Sequence, residues 1–334
     1  MVILVKKDTP DAALRMLAVE LANKGVRVAK ADSAEHILLT LVGDTWQLDA
    51  EHYKALPYVE DVKRITPPYR LSAKSAHPAP TVIEVGDARI GEGFCLMAGP
   101  CAVESAVQLG AVARSVKASG AQILRGGIFK PRTSPYTFPG LGEAGMEILL
   151  QAKAETGLPV ITELTDLSQL PLFEQVDIIQ VGTRNMQNYE MLRQLGQLDK
   201  PILLKRGQSA TVEELLLAAE YILRGGNSKV ILCERGIRTF SQETRATLDL
   251  GAIPVLKKAT HLPVIVDPSH AAGNSAWVTP LALAAAAVGA DGLLVEVHDR
   301  PAVALSDGAQ ALNCEQFDEL AQRVRALLPY AWKE

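Results

Sequence analysis

The sequence predicts an α/β protein made of a (β/α)8 TIM barrel and a small N-terminal α+β domain with a ferredoxin-like plan. The first 65 residues show strand and helix patterns in the order βαββαβ. A proline-rich stretch follows them. From residue 94 onward, eight short apolar strands alternate with amphipathic helices over about 240 residues, which is typical of a (β/α)8 barrel. An open doubly wound sheet is the alternative, and the lack of a Gly-x-Gly-x-x-Gly run at its start disfavours it.

The N-terminal domain is expected over residues 1–66. Thr9 is expected to cap the first helix, with Pro10 in its first turn. The predicted elements are, in order, a strand at 2–5, a helix ended by Gly25, strands at 26–29 and 37–42, a helix at 50–55 and a strand at 59–65. The segment has no dense set of reactive side chains, so we expect it to sense a ligand or to support assembly.

A linker is expected over residues 67–80, because four prolines lie there among small and polar residues. The catalytic domain is expected over 81–334 and begins with a hairpin at 81–90 that turns at Gly86 and Asp87. Ser105 predicts one helix start, and Thr211 with Glu214 forms a capping-box pattern at another. The predicted barrel strands are 95–98, 122–124, 160–162, 178–181, 202–204, 230–232, 264–266 and 292–295.

Composition and charge exclude several classes of protein. The chain has 334 residues, of which 48% are hydrophobic and 22% charged, as in an ordinary soluble globular protein that buries a large core. Its net charge of -4 argues against a nucleic-acid or acidic-membrane partner. The four cysteines form no Cys-x-x-Cys pair, which disfavours a disulfide scaffold or a zinc finger. Residues 1–10 do not resemble a signal peptide, and the apolar stretch 281–295 is too short to span a membrane, so a cytoplasmic location is expected.

Cationic residues follow four of the predicted strands. The active site of a (β/α)8 barrel lies at the C-terminal ends of its strands. The ends of strands two, four, five and six all carry arginine or lysine in a chain of net negative charge. Burying that many cations without partners would be very costly. They predict a pocket for about two phosphate or carboxylate groups.

A second group of reactive side chains comes together when the barrel closes. Strand one then lies beside strand eight, and strand seven is next in the ring. Cys101, His270, Glu296 and Asp307 can then reach one point. A thiolate, an imidazole and two carboxylates suit a divalent metal such as Mn²⁺, Fe²⁺, Co²⁺ or Zn²⁺. His298 is ambiguous between a supporting and a structural role, and the other three cysteines are interpreted as packing residues.

Seven runs of residues resemble 3-deoxy-D-arabino-heptulosonate-7-phosphate (DAHP) synthases over residues 94–330. The runs are AGPCAVES (98–105), LRGGIFKPRTSPYTFPGLG (124–142), VGTRNMQN (181–188), LLKRG (203–207), ILCERGIRTF (231–240), VDPSHAAG (266–273) and EVHDRP (296–301). They occur in order with matching spacing, so the resemblance is specific. The N-terminal domain also resembles, by its element pattern, the regulatory domain of one subgroup of these synthases.

The resemblance implies a metal-dependent condensation of phosphoenolpyruvate with erythrose 4-phosphate, the first step of the shikimate pathway of aromatic amino acid biosynthesis. It assigns phosphoenolpyruvate to Arg125, Lys130, Arg184, Lys205 and Arg235. It assigns the phosphate of erythrose 4-phosphate to Arg132 and Thr133, with Ser134 as a further candidate. Cys101, His270, Glu296 and Asp307 match the ligands of one divalent metal ion per subunit.

The implied chemistry joins C3 of phosphoenolpyruvate to the aldehyde carbon, with water adding at C2 and phosphate leaving. The catalytic residues expected are Lys130, Glu163 and His270. Strand order places Glu163 and the metal to stabilise opposite charges, the positive charge at C2 and the alkoxide. The proton donor to the alkoxide stays open among Lys130, His270 and a metal-bound water.

Other functions remain to be weighed against this one. A 3-deoxy-manno-octulosonate-8-phosphate synthase would use arabinose 5-phosphate on a similar barrel, but it typically carries a Lys-Ala-Asn-Arg-Ser type run where this chain has Lys-Pro-Arg-Thr at 130–133. An inactive barrel that binds a phosphorylated ligand is disfavoured by the complete metal and cation sets. The resemblance further implies feedback inhibition by tyrosine or phenylalanine through the N-terminal domain, which could instead serve only assembly or stability. It also implies a homo-oligomer, a tetramer or a dimer.

Overall fold

The computed structural model describes residues 1–33, 35–45, 47–64, 68–132 and 134–333. The chain divides into two compact units, Met1–Pro68 and Tyr69–Glu334. The boundary expected between residues 66 and 67 falls on residues outside these ranges.

The first unit is a four-stranded antiparallel sheet with two helices. Its elements are β1 (Val2–Lys6), α1 (Asp11–Asn23), β2 (Arg27–Asp32), β3 (His36–Val42), α2 (Ala50–Lys54) and β4 (Val59–Lys63). The strands lie in the order β2-β3-β1-β4, and alternate residues of the central strands, such as Ile3 and Leu39, are buried with Leu17 and Leu21 of α1. This confirms the predicted βαββαβ order and gives the unit a core of its own.

The prediction that Thr9 caps α1 is wrong. The residue before the helix is Pro10, which has no side-chain donor or acceptor. The Thr9 hydroxyl instead donates to the carbonyl of Lys6, 2.7 Å away. The hydroxyl therefore closes the turn after β1 and leaves the helix N-terminus without a side-chain cap.

The second unit is a closed barrel of eight parallel strands, as predicted. A short hairpin, β5 (Ile83–Val85) and β6 (Ala88–Ile90), precedes it. The barrel strands are β7 (Cys95–Gly99), β8 (Ile123–Arg125), β9 (Val160–Leu164), β10 (Ile178–Val181), β11 (Ile202–Lys205), β12 (Val230–Glu234), β13 (Val264–Val266) and β14 (Gly292–Glu296). The ring closes between β14 and β7, where Glu296 pairs with Gly99.

Helices connect most of the strands, and the last helix follows β14. They are α3 (Ala106–Ala118), α4 (Glu143–Thr156), α5 (Tyr189–Leu195), α6 (Val212–Arg224), α7 (Ala252–Ala259), α8 (Pro268–Ala272), α9 (Ser275–Ala287) and α10 (Cys314–Leu327). Ser105 caps α3, and Thr211 with Glu214 forms the predicted capping box of α6. Between β9 and β10 the connection is a 3-10 helix, Leu167–Phe173, which contains Pro171.

Two cores alternate along every barrel strand, as the two-residue period of a strand requires. One set of side chains fills the barrel together with the hairpin residues Ile83 and Ile90, and the other set packs against the helices. The last apolar side chains inside the barrel are Met97, Ile123, Ile161, Ile178, Leu203, Cys233, Ile265 and Leu294. A polar residue two positions after one of these residues therefore faces the same interior, at the C-terminal end. Among the described residues, no helix is long and apolar enough to cross a membrane.

Candidate active site and metal centre

Seven polar or charged residues stand two positions after an apolar residue of the barrel interior. They are Arg125, Glu163, Gln180, Lys205, Arg235, Asp267 and Glu296. The alternation of side chains along a strand sends all of them to the C-terminal mouth of the barrel. A cavity of about 300 Å³ opens there, and four of the seven line it. The other three, Arg125, Asp267 and Glu296, are almost completely buried, with 4%, 0% and 0% of their side chains exposed.

Cys101, His270, Glu296 and Asp307 meet at one point. One ligand atom from each residue lies within 4.8 Å of the ligand atoms of the others. The Cys101 sulfur is 3.2 Å from Asp307 Oδ2, and His270 Nε2 is 3.4 Å from Glu296 Oε1. One thiol, one imidazole and two carboxylates form a donor set that fits a divalent transition ion.

Backbone geometry at two positions brings these ligands together. Gly99 has a φ of 153°, and a Cβ at this position would lie 2.0 Å from the carbonyl oxygen of Arg125, so only glycine lets the loop carrying Cys101 cross there. Asp307 adopts the left-handed conformation, with a φ of 52°, although it has a side chain. Strain of this kind persists where the surrounding structure imposes it, commonly at functional sites.

The charges of the cluster are set by its neighbours. Burial raises the pKa of the Cys101 thiol to about 12, so binding of a metal would require release of its proton. Burial alone would raise the pKa of Glu296, but His270, Arg125 and Lys130 together hold it below its usual range. Burial lowers the pKa of His270, which favours the neutral imidazole that can ligate a metal.

A carboxylate not assigned from the sequence connects this cluster to the cations. Asp267 Oδ2 is 2.7 Å from His270 Nδ1 and 2.5 Å from Lys205 Nζ. Its other oxygen accepts the backbone N–H of His270 at 2.9 Å. The Asp267 side chain is fully buried.

The predicted cations do gather at the mouth, but two of them already have carboxylate partners. Arg125 Nη1 lies 2.5 Å from Glu296 Oε1, and Lys205 pairs with Asp267. The expectation that the strand-end cations need external anions for their burial is therefore only partly right. Lys130 donates to the Cys101 carbonyl at 3.2 Å, and although burial disfavours its charge, the neighbouring Cys101, Glu163 and Glu296 raise its pKa.

Arg235 and Arg132 differ from these cations in their partners. Within the part of the chain that the structure describes, Arg235 is buried without an ion pair, and its long contacts of 3.3 and 3.4 Å go to backbone carbonyls. Burial lowers its pKa. Arg132 donates through Nε to the carbonyl of Phe138 at 2.8 Å, while its Nη2 is buried and has no hydrogen-bond partner. Buried donors of this kind usually have a partner, so an anion or water is expected there.

The remaining predicted residues have different placements. Arg184 is exposed on a 3-10 helix, Thr183–Asn185, and lines the cavity, as does Ser134. Thr133 lies outside the described residues. Glu163 accepts from Gln180 Nε2 at 3.3 Å, and a Cβ at Gly182 would lie 1.8 Å from Glu163 Oε1, so glycine leaves room for this carboxylate.

Arg206 does not belong to the pocket. Arg206 directly follows Lys205, so its side chain points to the opposite face of the strand, towards the helices. Its guanidinium pairs with Glu234 at 2.8 Å and with Asp249 at 2.9 Å. The same alternation explains the partner. Glu234 directly precedes Arg235, which faces the barrel interior, so the Glu234 side chain also points towards the helices. These groups form a structural ion-pair network outside the barrel.

Sequence reasoning missed several contacts to the metal cluster. Arg245 Nη1 lies 3.2 Å from Asp307 Oδ1 and 2.9 Å from Gln310 Oε1. Gln310 Nε2 donates to Glu296 Oε2 at 2.7 Å, and the Ser306 hydroxyl is 3.1 Å from the Cys101 sulfur. Arg245 comes from the loop after β12 and the other two from the loop after β14. Neither loop has a periodic pattern that would indicate where its side chains lie.

His298 takes a supporting position outside the four-residue cluster. Its Nε2 is 3.3 Å from Glu104 Oε2, and its Nδ1 accepts the backbone N–H of Arg300. Glu104 also accepts the backbone N–H of Leu305 at 2.8 Å. These contacts join the loop that carries Cys101 to the loop that carries Asp307. Cys95 and Cys233 are buried in the barrel interior as packing residues, and Cys314 is half-buried at the start of α10.

Comparison with known families matches both units of the chain. Residues 72–329 match the model of the DAHP synthetase I family. Residues 1–67 match the model of the DAHP synthase ferredoxin-like domain.

Individual relatives give the same result. The phospho-2-dehydro-3-deoxyheptonate aldolase of Thermotoga maritima is 45% identical over 98% of this chain and 97% of its own. The crystal structure of the DAHP synthase of Thermotoga maritima superimposes with a TM-score of 0.89 at 44% identity, covering 98% of this chain and 97% of that chain. A 2-dehydro-3-deoxyphosphooctonate aldolase of Syntrophotalea carbinolica is 31% identical over 74% of this chain and 96% of its own.

Proposed function

The chain belongs to the DAHP synthetase I family and is a phospho-2-dehydro-3-deoxyheptonate aldolase, and from this premise we propose how its residues condense phosphoenolpyruvate with erythrose 4-phosphate. The reaction forms DAHP and phosphate. The observation that carries the proposal is the cationic cavity directly above the Cys-His-Glu-Asp cluster. Two anionic substrates and one electrophilic aldehyde need these two features side by side.

Phosphoenolpyruvate is assigned to Arg125, Lys130, Arg184, Lys205 and Arg235. Arg235 supports this assignment best, since its buried guanidinium lacks an ion pair among the described residues. Arg125 and Lys205 each donate one hydrogen bond to a carboxylate. A guanidinium or ammonium group has further N–H donors that can bind a substrate. The carboxylate and phosphate of phosphoenolpyruvate would supply acceptors for these donors.

Erythrose 4-phosphate is assigned to the loop after β8, through Arg132, Thr133 and Ser134. The unpartnered Nη2 of Arg132 supports a phosphate at this position, because charge-assisted hydrogen bonds to phosphate are among the strongest that a guanidinium makes. The assignment of Thr133 to this phosphate rests on the family resemblance alone.

Cys101, His270, Glu296 and Asp307 are assigned to one divalent ion, with Mn²⁺, Fe²⁺, Co²⁺ and Zn²⁺ all compatible with the donor set. When bound, such an ion supplies Lewis-acid polarisation of the aldehyde carbonyl. The residues around the cavity position the two substrates. They hold the two substrates so that C3 of phosphoenolpyruvate faces the aldehyde carbon, which removes much of the entropic barrier.

The charges that develop during the reaction suit the residues around the cavity. Glu163 lines the cavity and is a negative group available to stabilise positive charge at C2 before water adds there. Lys130, whose pKa is raised, stays protonated and is the proton donor that we favour for the new alkoxide. The hemiketal then collapses, and phosphate leaves within reach of the cations that bound it. We assign His270 as a metal ligand that also helps to orient the site.

The choice of aldose separates this proposal from the octulosonate alternative. A product assay offers phosphoenolpyruvate with either erythrose 4-phosphate or arabinose 5-phosphate, with and without a chelator. We expect DAHP from the four-carbon sugar only, and loss of turnover on thorough chelation. A preference for arabinose 5-phosphate, or activity that survives chelation, would overturn the proposal.

Regulation and assembly are further parts of the proposal. We assign feedback inhibition by tyrosine or phenylalanine to residues 1–66, which match a ferredoxin-like domain model and contain no proposed substrate-binding residue. A homo-oligomer, tetramer or dimer, is expected, and its mass in solution can be measured by light scattering. The cytoplasmic location expected from the sequence stays a prediction.

A further inference from the structure

We propose that Asp267 is a positioning residue that couples metal binding to phosphoenolpyruvate binding, because a single carboxylate oxygen holds both His270 and Lys205. The inference rests on the assignments of His270 to the metal and Lys205 to phosphoenolpyruvate made above. Neither the sequence motifs nor the family resemblance described above assigns a role to Asp267.

Both carboxylate oxygens of Asp267 accept hydrogen bonds. Oδ2 accepts from His270 Nδ1 at 2.7 Å and from Lys205 Nζ at 2.5 Å, while Oδ1 accepts the backbone N–H of His270 at 2.9 Å. The side chain is fully buried, so the carboxylate has no competing contact with bulk water. Because three hydrogen bonds hold it, the carboxylate fixes the positions of its two partners relative to each other.

The contact with His270 determines which imidazole nitrogen can bind a metal. When Nδ1–H donates to Asp267, Nε2 carries the free lone pair. Nε2 lies 3.4 Å from Glu296 Oε1, within the cluster of ligand atoms. A carboxylate on the far nitrogen of a metal-binding histidine fixes the tautomer and the ring orientation and makes the ligand more basic.

The contact with Lys205 holds an ammonium group at the wall of the substrate cavity. One N–H of Lys205 is used by Asp267, and two remain for the anion. Loss of the carboxylate would leave the ammonium without its anchor and would also leave a buried charge without a partner. One substitution at Asp267 therefore affects the metal and the anion together.

A purely structural role is the alternative, since Asp267 also caps the short helix α8. Asp291 provides a matched control. It pairs with Lys257 at 2.6 Å and accepts the backbone N–H of Val264 at 2.7 Å, at the opposite end of the barrel strands. Both aspartates thus hold a lysine and a backbone N–H, but Asp291 contacts neither the metal cluster nor the substrate cavity.

The test compares full-length Asp267→Asn, Asp267→Glu and Asp291→Asn with the wild-type protein. Co²⁺ is titrated into metal-free protein and its thiolate charge-transfer band is followed, while KM for phosphoenolpyruvate and kcat are measured at saturating metal. For Asp267→Asn we expect Co²⁺ affinity to fall by roughly 10- to 100-fold and KM for phosphoenolpyruvate to rise. Nitrogen-15 spectra of His270 should also show loss of the single Nδ1-protonated tautomer. Asp267→Glu should recover part of each loss.

Asp291→Asn should lower the stability of the protein while Co²⁺ affinity and KM stay at wild-type values. Wild-type Co²⁺ affinity and KM in Asp267→Asn would overturn the proposal, as would equal losses in Asp291→Asn. If Asp267→Asn does not fold, Asp267→Glu decides, because it keeps the charge but displaces the carboxylate. A smaller fall in Co²⁺ affinity and a smaller rise in KM are then expected, and wild-type values of both would overturn the proposal. Failure of the wild-type protein to bind Co²⁺ or to form DAHP would instead contradict the proposed function.

Discussion

Arg125, assigned to phosphoenolpyruvate, and Glu296, assigned to the metal, are joined by a buried ion pair of 2.5 Å. Each group is the nearest opposite charge of the other, and both side chains are essentially excluded from water. Without a metal, Arg125 neutralises this ligand. If a divalent ion binds, we expect it to share the neutralisation of Glu296, which would leave the Arg125 guanidinium more available to a substrate anion.

Arg125→Met should therefore destabilise the metal-free protein by about 3–5 kcal/mol, because it leaves Glu296 buried without its partner. A saturating divalent ion should reduce that loss, since the ion replaces the missing positive charge and binds only the folded state. Urea unfolding with chelator and with Mn²⁺ measures both values. Arg193→Met is the control, because Arg193 pairs with Glu190 on the surface and should have a small effect in both conditions. An equal loss with and without metal would contradict the argument.

Cys101→Ala should abolish most turnover while leaving the fold intact. The sulfur is the soft ligand of the proposed set, and removing a Lewis acid worth several kcal/mol slows a reaction by roughly 10²- to 10⁴-fold. Steady-state rates and circular dichroism of the variant give the two readouts. Cys233→Ala is the matched control, since Cys233 is equally buried in the barrel but lies outside the ligand cluster. Full activity of Cys101→Ala would rule out the metal assignment.

The two-residue alternation of a strand explains how much of this site could be predicted. Once Ile123, Leu203 and Leu294 are placed inside the barrel, Arg125, Lys205 and Glu296 must face the same interior. The same rule would have found Asp267 from Ile265 and Gln180 from Ile178, and it would have excluded Arg206 from the pocket. The motifs alone do not indicate these placements.

The loop contacts could not be predicted in this way. Arg245 reaches Asp307 and Gln310 between two connections, of which the one after β14 has only short 3-10 helices before α10. Asp307 adopts a backbone conformation that its side chain disfavours. Tertiary packing selects these contacts, and neither spacing nor propensity encodes them locally. The same holds for the ion pairs of Arg125 and Lys205, because the sequence shows the charges without their partners.

Deletion of residues 1–66 should leave catalysis in place and remove inhibition by tyrosine or phenylalanine. The first unit has its own hydrophobic core, and all the proposed substrate and metal residues belong to the second. Initial rates of the full-length and shortened proteins, each with and without the three aromatic amino acids, measure the effect. A full-length enzyme that ignores all three would contradict the sensing role, and so would a shortened enzyme that is still inhibited.

His261 should make the stability of the barrel unit depend on pH. Its Nε2 contacts the carbonyl of Leu71 at 2.7 Å and its Nδ1 contacts the Thr81 hydroxyl at 2.6 Å, an arrangement that the neutral ring satisfies with one donor and one acceptor. Burial lowers the pKa of His261 below 6.5, and the nearby His77 acts in the same direction, while the Leu71 carbonyl and Glu220 oppose it. Because the folded-state pKa lies below the unfolded one, the stabilisation is complete above pH 6.5 and is lost as the pH falls through the folded-state value.

Chemical unfolding between pH 8 and pH 5, in steps of about one pH unit, should show this decline in the wild-type protein and a flatter profile in His261→Gln. His52→Gln, at an exposed histidine of the first unit, should keep the wild-type slope, and an unchanged slope in His261→Gln would refute the assignment.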